Sequence, residues 1–367
     1  MAYAAFLRTL PTPATTLTGF TCLLDEAWFT QADTNALDGT TFINGGGSLK
    51  IYTDSGKGTQ LPIDVVTFVT GGTPDVLVWV RLPSYASGAT VWVESDAVAT
   101  SQPAVTATYG RNDVWQDYDF VGHLGEAVNT TSGGYIDSSG SGYDATGVSM
   151  ALPAVTANFG MAQDFDGTAD YIDIPANAIN TAETNNEFIM SCWVNMDSLA
   201  TDGTLIGQFN GGSAQFLLYM DEGVSANYRA LVQDSSAGNT ATNTSSGGAL
   251  TGTWQFVHSS WDGTTLGVYL DGTLNNASTS ARTMRSATTD LSIGSNNGGS
   301  ASRLINGKIH SVKITPVSDA NARNKIVSEY TNQSAPSTFG TSSGWTTGGA
   351  GTSIPVIMNH LQNQGIA

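Results

Sequence analysis

The densest run of ligand-type side chains is Asp164, Asp166, Asp170 and Asp173, all between Asp164 and Ile174. Alternating aspartates at the head of a loop resemble the start of an EF-hand, whose last position must supply a bidentate carboxylate. That position falls on Pro175, so this class of calcium loop is excluded. A calcium site assembled in three dimensions from Asp137, Asp144, Asp166 or Asp170 stays open, against the plainer reading that all four are solvated turn residues. The histidines, His123, His258, His310 and His360, lack metal-ligand spacing, and two of them sit in apparent strands. Their expected role is structural, with satisfied ring nitrogens. Gly340-Thr341-Ser342-Ser343-Gly344 fits the nucleophile-elbow pattern in letters alone, because no strand signal precedes it and no helix signal follows. Cys22 and Cys192 stand 170 positions apart, so two buried thiols are expected and not a disulfide framework. Asn129, Asn243, Asn276 and Asn332 begin glycosylation-type triplets, which a Ser/Thr-rich chain contains by accident.

Any of these groups would have to be held by short strands. Runs with strand character are Leu49 to Thr53, Val76 to Leu82 and Thr90 to Glu94, and, after a connector from Val98 to Gly110, nine more between Tyr171 and Ile314. Many short strands separated by turn clusters are what a sandwich or jelly roll requires. Leu266, Val268 and Leu270 share one face ahead of Asp271-Gly272, so a strand ending in a tight turn is expected there. One helix is expected over Asp319 to Tyr330, capped by Ser318, with Ala322, Ile326 and Tyr330 on one face. The resulting division is an extended arm at 1–19, a small β domain at 20–110, a larger β unit at 111–335, and a Gly/Ser/Thr-rich flexible tail at 336–367 ending in a short helix from Pro355.

Composition agrees with an all-β protein. Charged residues are 12% of the chain, against roughly 25% in ordinary globular proteins, and 42 glycines favour turns over helix surface. A hydrophobic content of 40% argues against disorder. The formal charge of −18 excludes electrostatic capture of nucleic acid, which needs a basic patch. No stretch is long and apolar enough to span a bilayer, so no membrane insertion is expected. Ala2 to Leu7 is too short for a signal-peptide core and is broken by Arg8, then Pro11 and Pro13. Synthesis in a cytoplasm, without the general secretory route, is the expectation.

Several ordered segments carry a resemblance. They are Asp164-Phe165-Asp166-Gly167 running to Ile174, Phe188-Ile189-Met190-Ser191-Cys192-Trp193-Val194, Thr253-Trp254-Gln255-Phe256-Val257-His258, Trp261-Asp262-Gly263, Val268-Tyr269-Leu270-Asp271-Gly272, Leu291-Ser292-Ile293-Gly294, and Asn306-Gly307-Lys308-Ile309-His310-Ser311-Val312. Together they resemble laminin-G-like, concanavalin A-like domains, which implies a two-sheet jelly roll from 111 to 335. The stretch from Phe20 to Glu126 resembles an uncharacterised, small β-sandwich-like domain often found ahead of such jelly rolls. Its marks are Leu49-Lys50-Ile51-Tyr52-Thr53-Asp54, Val78-Trp79-Val80-Arg81-Leu82-Pro83 and Phe120-Val121-Gly122-His123-Leu124-Gly125-Glu126. This pairing occurs in surface and virion-associated proteins.

Some proteins of this resemblance hydrolyse polysaccharides with carboxylates alternating on one strand face. No Glu-x-Asp-x-x-Glu or Glu-x-Asp-x-Glu occurs here, and the acidic segment from Asp164 lacks glutamate, so no enzyme is expected. Trp193, Trp254 and Trp261 fall where the family pattern has core strands, which favours packing over sugar stacking. The expectation is a non-enzymatic virion structural protein of a bacterial virus, a capsid decoration, head-fibre or tail-associated subunit. It would oligomerise with itself, anchor to other virion proteins by its N-terminal part, and display a lectin-like jelly roll to host glycans. The alternative is a carbohydrate-binding adhesin module at a bacterial cell surface.

Overall fold

A computed structural model describes residues 3–348 apart from 32–33, 97, 210–215, 223–225, 235–238, 244–247, 287–289, 297–302 and 345. Among the described residues the protein is mostly antiparallel β-structure, in four larger sheets and a two-stranded ribbon of Thr30–Gln31 with Thr34–Asn35. The first sheet runs from the short strands Thr341–Ser342 and Thr346–Gly348 through Tyr3–Thr9 and Thr90–Ser95 to Leu49–Tyr52. The second places Asp75–Tyr85 between Leu17–Asp25 and Ile63–Val69. The two sheets enclose a core of Phe6, Val91, Val93 and Ile51 on one side and Phe20, Cys22, Leu24, Val78 and Val80 on the other.

Residues 3–9 are therefore no free arm, contrary to the sequence expectation. Phe6 and Leu10 are buried, and the strand is paired on both edges. The misleading residue is Arg8, which interrupts the apolar pattern but is itself buried, with its guanidinium 4.1 Å from the Trp28 ring centre. A cation lying on an indole face keeps a favourable electrostatic partner inside the protein. The expected flexible tail is likewise ordered in its first part: Phe339 joins the N-terminal core, and residues 341–342 and 346–348 pair with Tyr3–Thr9. The expected terminal helix from Pro355 and His360 lie outside the described residues.

The jelly roll follows. One sheet has the order Thr146–Val148, Tyr171–Ile174, Leu291–Ile293, Gly203–Gln208, Phe216–Asp221, Asn227–Gln233, Asn239–Asn243. The other runs Val155–Thr156, Met161–Asp166, Asn306–Thr315, Phe188–Met196, Gln255–Trp261, Thr265–Leu270, Thr273–Thr279, with Phe120–Gly122 also on Asn306–Thr315. Alternation along Phe188–Met196 sends Phe188, Met190, Cys192, Val194 and Met196 into the core between these sheets, and Trp193 to the opposite face. Leu270 and Thr273 pair across Asp271-Gly272, both at positive φ (50° and 75°), which is the two-residue hairpin turn that matches strand twist. Thr273–Thr279 escaped sequence reading because this edge strand is exposed on nearly every residue and shows no apolar alternation.

The two halves meet through a third core. Leu23, Leu77 and Trp79, on the outer face of the second sheet, pack with Trp115, Val121, Phe159, Trp193 and Phe256. The helix Ala320–Ser334 lies against this layer: Tyr330 stacks on Trp193, and Trp193 Nε1 donates to Gln333 Oε1 at 2.8 Å. Its N-cap is Asp319, whose side chain accepts from Ala322 N at 2.7 Å, one residue after the expected Ser318. Lys313 and Glu329 are buried in the same layer with Nζ–Oε2 at 3.3 Å, and Nζ sits 4.7 Å from the Trp79 ring centre.

Candidate functional site

A cleft of about 310 Å³ opens where the second sheet faces the jelly roll. Its N-terminal wall is Asp64, Val65, Val66 and Thr67 on Ile63–Val69, with Asp75 and Leu77 from the neighbouring strand. Its other wall comes from the jelly roll: His123 and Glu126 after the strand Phe120–Gly122, Phe159 to Met161 at a turn, and His310 and Ser311 on Asn306–Thr315. Arg111 closes one side. The volume lies at the lower end of the range for small-molecule sites, roughly 300–1,000 Å³.

Local chemistry explains why these groups stay in place. Asp64 Oδ2 accepts from Trp115 Nε1 at 2.7 Å and contacts His123 Nε2 at 2.9 Å, so one carboxylate ties a tryptophan and a histidine of the second half to the first. Gly160 has φ +61°, and a Cβ there would stand 2.8 Å from Leu77 Cδ2, so the two halves approach where only glycine fits. Burial, reinforced electrostatically by the neighbouring His123 and Lys313, pulls His310 down to about 3, so the ring is neutral at ordinary pH. Its Nε2 lies 2.7 Å from Asn158 Oδ1, and Phe159 packs edge-on against the ring. Ser311 sits where the pairing of Asn306–Thr315 with Phe188–Met196 skips a residue, and its φ is +53°. Such a bulge leaves one residue out of the ladder and re-aims its side chain.

The arrangement offers hydrogen bonding and an apolar wall, without an activated nucleophile among the described residues. Ser311 Oγ makes no hydrogen bond, so the Asp64–His123 pair does not reach it. Both cysteines are buried and free, and burial pushes each thiol far up. Gly340 to Gly344 carries only the two-residue strand Thr341–Ser342, and no helix follows among the described residues, so the elbow match has no structural basis there.

The calcium candidates do not line the cleft, although Asp137 stands between its lining residues Ile136 and Ser138, and they lie in two pairs. Asp137 is buried and accepts from Val121 N, Ser139 N, Ser139 Oγ and Tyr143 N, while its own N–H donates to Asp144 Oδ1 at 2.8 Å. Asp166 accepts from Thr168 N at 2.7 Å, Ala169 N at 3.0 Å and the Thr168 hydroxyl. Burial alone would raise this carboxyl, but those donors outweigh it and hold it at about 2. Asp170 is buried beside it, lifted above the ordinary carboxylate range by burial and then by the charge of Asp166. Among the described residues no group of three or more His, Cys, Asp or Glu is placed to hold a metal ion.

Trp193 and Trp261 are core residues, and Trp254 is half-buried against His310. His258 departs from the expected satisfied role: it is buried, neither ring nitrogen has a hydrogen-bond partner, and burial followed by the charge of Lys313 drives it well below the usual imidazole range. Asn332, one of the triplet asparagines, is fully buried and closed to modification. Asp64, Arg111 and Phe159 were not singled out by sequence, and Glu126 and Ser311 stood there only inside family-like segments, because the five come from separate parts of the chain and form no motif together.

Residues 166–318 match the family described as the concanavalin A-like lectin/glucanases superfamily. The two-sheet body of the second half is accordingly a concanavalin A-like, laminin-G-like jelly roll. Among solved structures, the receptor-binding domain of botulinum neurotoxin C/D mosaic serotype is similar at 15% identity and a TM-score of 0.45, over 60% of this chain and 52% of that one. The binding domain of botulinum neurotoxin serotype D is similar at 14% identity and a TM-score of 0.42, over 57% and 51%. For the binding domain of Paraclostridial Mosquitocidal Protein 1 the values are 12%, 0.42, 57% and 52%. The match spans about half the length of each of these structures. No curated protein matches this chain.

Proposed function

We propose that this chain is a non-enzymatic structural and recognition subunit of a bacterial-virus particle, in which the N-terminal β-sandwich anchors and the lectin-like jelly roll faces outward to stabilise the particle or touch host glycans. The observation that carries the non-enzymatic part is the engagement of chemistry-bearing side chains in structure: Asp137 and Asp166 lock turns, Lys313 and Glu329 pair inside, and His258 and His310 are buried neutral. The shared aromatic core makes the sandwich and jelly roll one body, as a subunit that transmits an anchor to a display face needs to be. An excess of 31 acidic over 13 basic residues suits a surface that repels nucleic acid and stays soluble at high local concentration. Mass spectrometry of purified virions tests the proposal. Stoichiometric presence in the particle is expected; absence there, with exposure on a bacterial surface, replaces it with the adhesin reading.

A further inference from the structure

The cleft between the second sheet and the jelly roll combines an uncovered apolar lining with an acidic surround. Ile136 and Met161 line it at 44% and 38% exposure. Single exposed aliphatic side chains are ordinary, but two that share one cleft with half-buried Val65 and Val66 make an apolar surface open to solvent. Three carboxylates, Asp64, Asp75 and Glu126, stand there against one guanidinium, Arg111, which forms no ion pair with them. Asp64 is committed to Trp115 and His123, and Glu126 Oε1 accepts from Ile136 N at 3.0 Å, so both act on the cleft through their field. Asp75 is exposed, has no side-chain partner among the described residues, and is free to meet a cation directly. A cleft with apolar walls concentrates such a field and shields it from salt better than open surface does.

We propose that this cleft docks an extended segment of a partner protein that carries a lysine or arginine between aliphatic residues. The assignment stands apart from the particle reading, because it rests on the shape and charge of the cleft alone. Asp64, Val65, Val66 and Thr67 are consecutive on an edge strand, so they form a straight wall about 10 Å long, which suits a stretched chain of a few residues. The pairing of that strand with Asp75–Tyr85 skips Val66, and an edge interrupted in this way is a poor template for adding a long strand. Side chains of the partner must therefore supply the match. A lysine or arginine brings an alkyl stem for the aliphatic lining and a cationic head for Asp75. An acidic segment would meet repulsion from the three carboxylates, and a wholly apolar one would desolvate Asp75 without pairing it. A small free cation would leave the aliphatic lining in water.

The test pans the full chain against random dodecapeptides and titrates the enriched consensus peptide by fluorescence anisotropy. Asp75→Lys reverses the exposed charge, and Met161→Ser removes apolar cover. Glu222→Lys, just after Phe216–Asp221 in the jelly-roll sheet that supplies no cleft residue, is the charge-matched control. Expected are peptides that share a basic residue beside aliphatic ones, binding weakened about tenfold or more by either cleft variant, and a change below about twofold for Glu222→Lys. For a copy of the peptide with norleucine in place of its basic residue, Asp75→Lys should cost no further affinity. An equal loss in Glu222→Lys reduces the effect to the overall charge of −18 and overturns the site, as does binding that survives both cleft variants. Enrichment of acidic or uncharged peptides overturns the partner class, and no enrichment at all overturns the proposal. Thermal unfolding checks each variant; both cleft positions are exposed, and should one variant fail to fold, the other carries the test.

Discussion

The side chain of Asn332 hydrogen-bonds both backbone groups of Leu23: Oδ1 accepts from Leu23 N at 2.6 Å, and Nδ2 donates to Leu23 O at 3.0 Å. Leu23 lies on the edge strand Leu17–Asp25, paired on its other side with Asp75–Tyr85. One amide from the C-terminal helix thus stands in for the strand that this edge lacks, across 309 positions of sequence.

Asn332→Ala should therefore leave a buried N–H and C=O unpaired, at about 1–3 kcal/mol for each group. Urea denaturation is expected to show a clearly lowered midpoint, with Asn332→Asp no better because it keeps only the acceptor. An unchanged midpoint for Asn332→Ala would show that the helix does not hold the edge.

The Lys313–Glu329 pair is covered on both sides, with side-chain exposures of 2% and 8%. Removing one partner strands a buried charge, so Glu329→Gln or Lys313→Met alone should cost about 3–5 kcal/mol. The double variant Lys313→Met with Glu329→Leu should recover most of that loss, because two apolar side chains also fill the aromatic layer. A double-mutant cycle in guanidinium measures the coupling; strict additivity would refute it.

Acid should weaken the fold through its buried imidazoles. His258 and His310 bind protons more weakly folded than unfolded, through burial first. The stability from keeping them neutral is full above 6.5 and is lost as pH falls toward the folded values, about 3 for His310. Asp25 and Asp119, raised by burial to about 6, act in the opposite sense, gaining stability as pH falls through 6 toward 3.8. The difference between parent and His310→Phe isolates the imidazole: the parent should lose Tm more steeply below 6.5 than the variant. Parallel profiles would contradict this.

Chelation should leave thermal stability unchanged. Asp137 and Asp166 already accept from the protein's own N–H and hydroxyl groups, and no three ligand side chains converge among the described residues. Asp166→Ala, by contrast, should lower stability by about 1 kcal/mol or more through loss of its turn bonds. Differential scanning with calcium and with EDTA measures both. A midpoint several degrees higher in calcium would restore the metal reading.

Local pattern determined much of this protein. Alternation in Phe188–Met196 and Thr265–Leu270, the Asp271-Gly272 turn and the spacing of Ala322, Ile326 and Tyr330 depend on residues close in sequence, whose backbone preferences act before the chain closes on itself. The jelly roll was legible for that reason. Tertiary structure alone decided that residues 3–9 are a strand, since a buried Arg8 becomes tolerable with Trp28 beneath it and the Ser337 and Gly340 carbonyls accepting from its guanidinium. It also decided that Asn332 is a pairing group and that Asp64, Glu126 and Ser311 share a cleft. Those roles depend on partners dozens to hundreds of positions away, and burial and proximity of that kind leave no period or spacing along the chain.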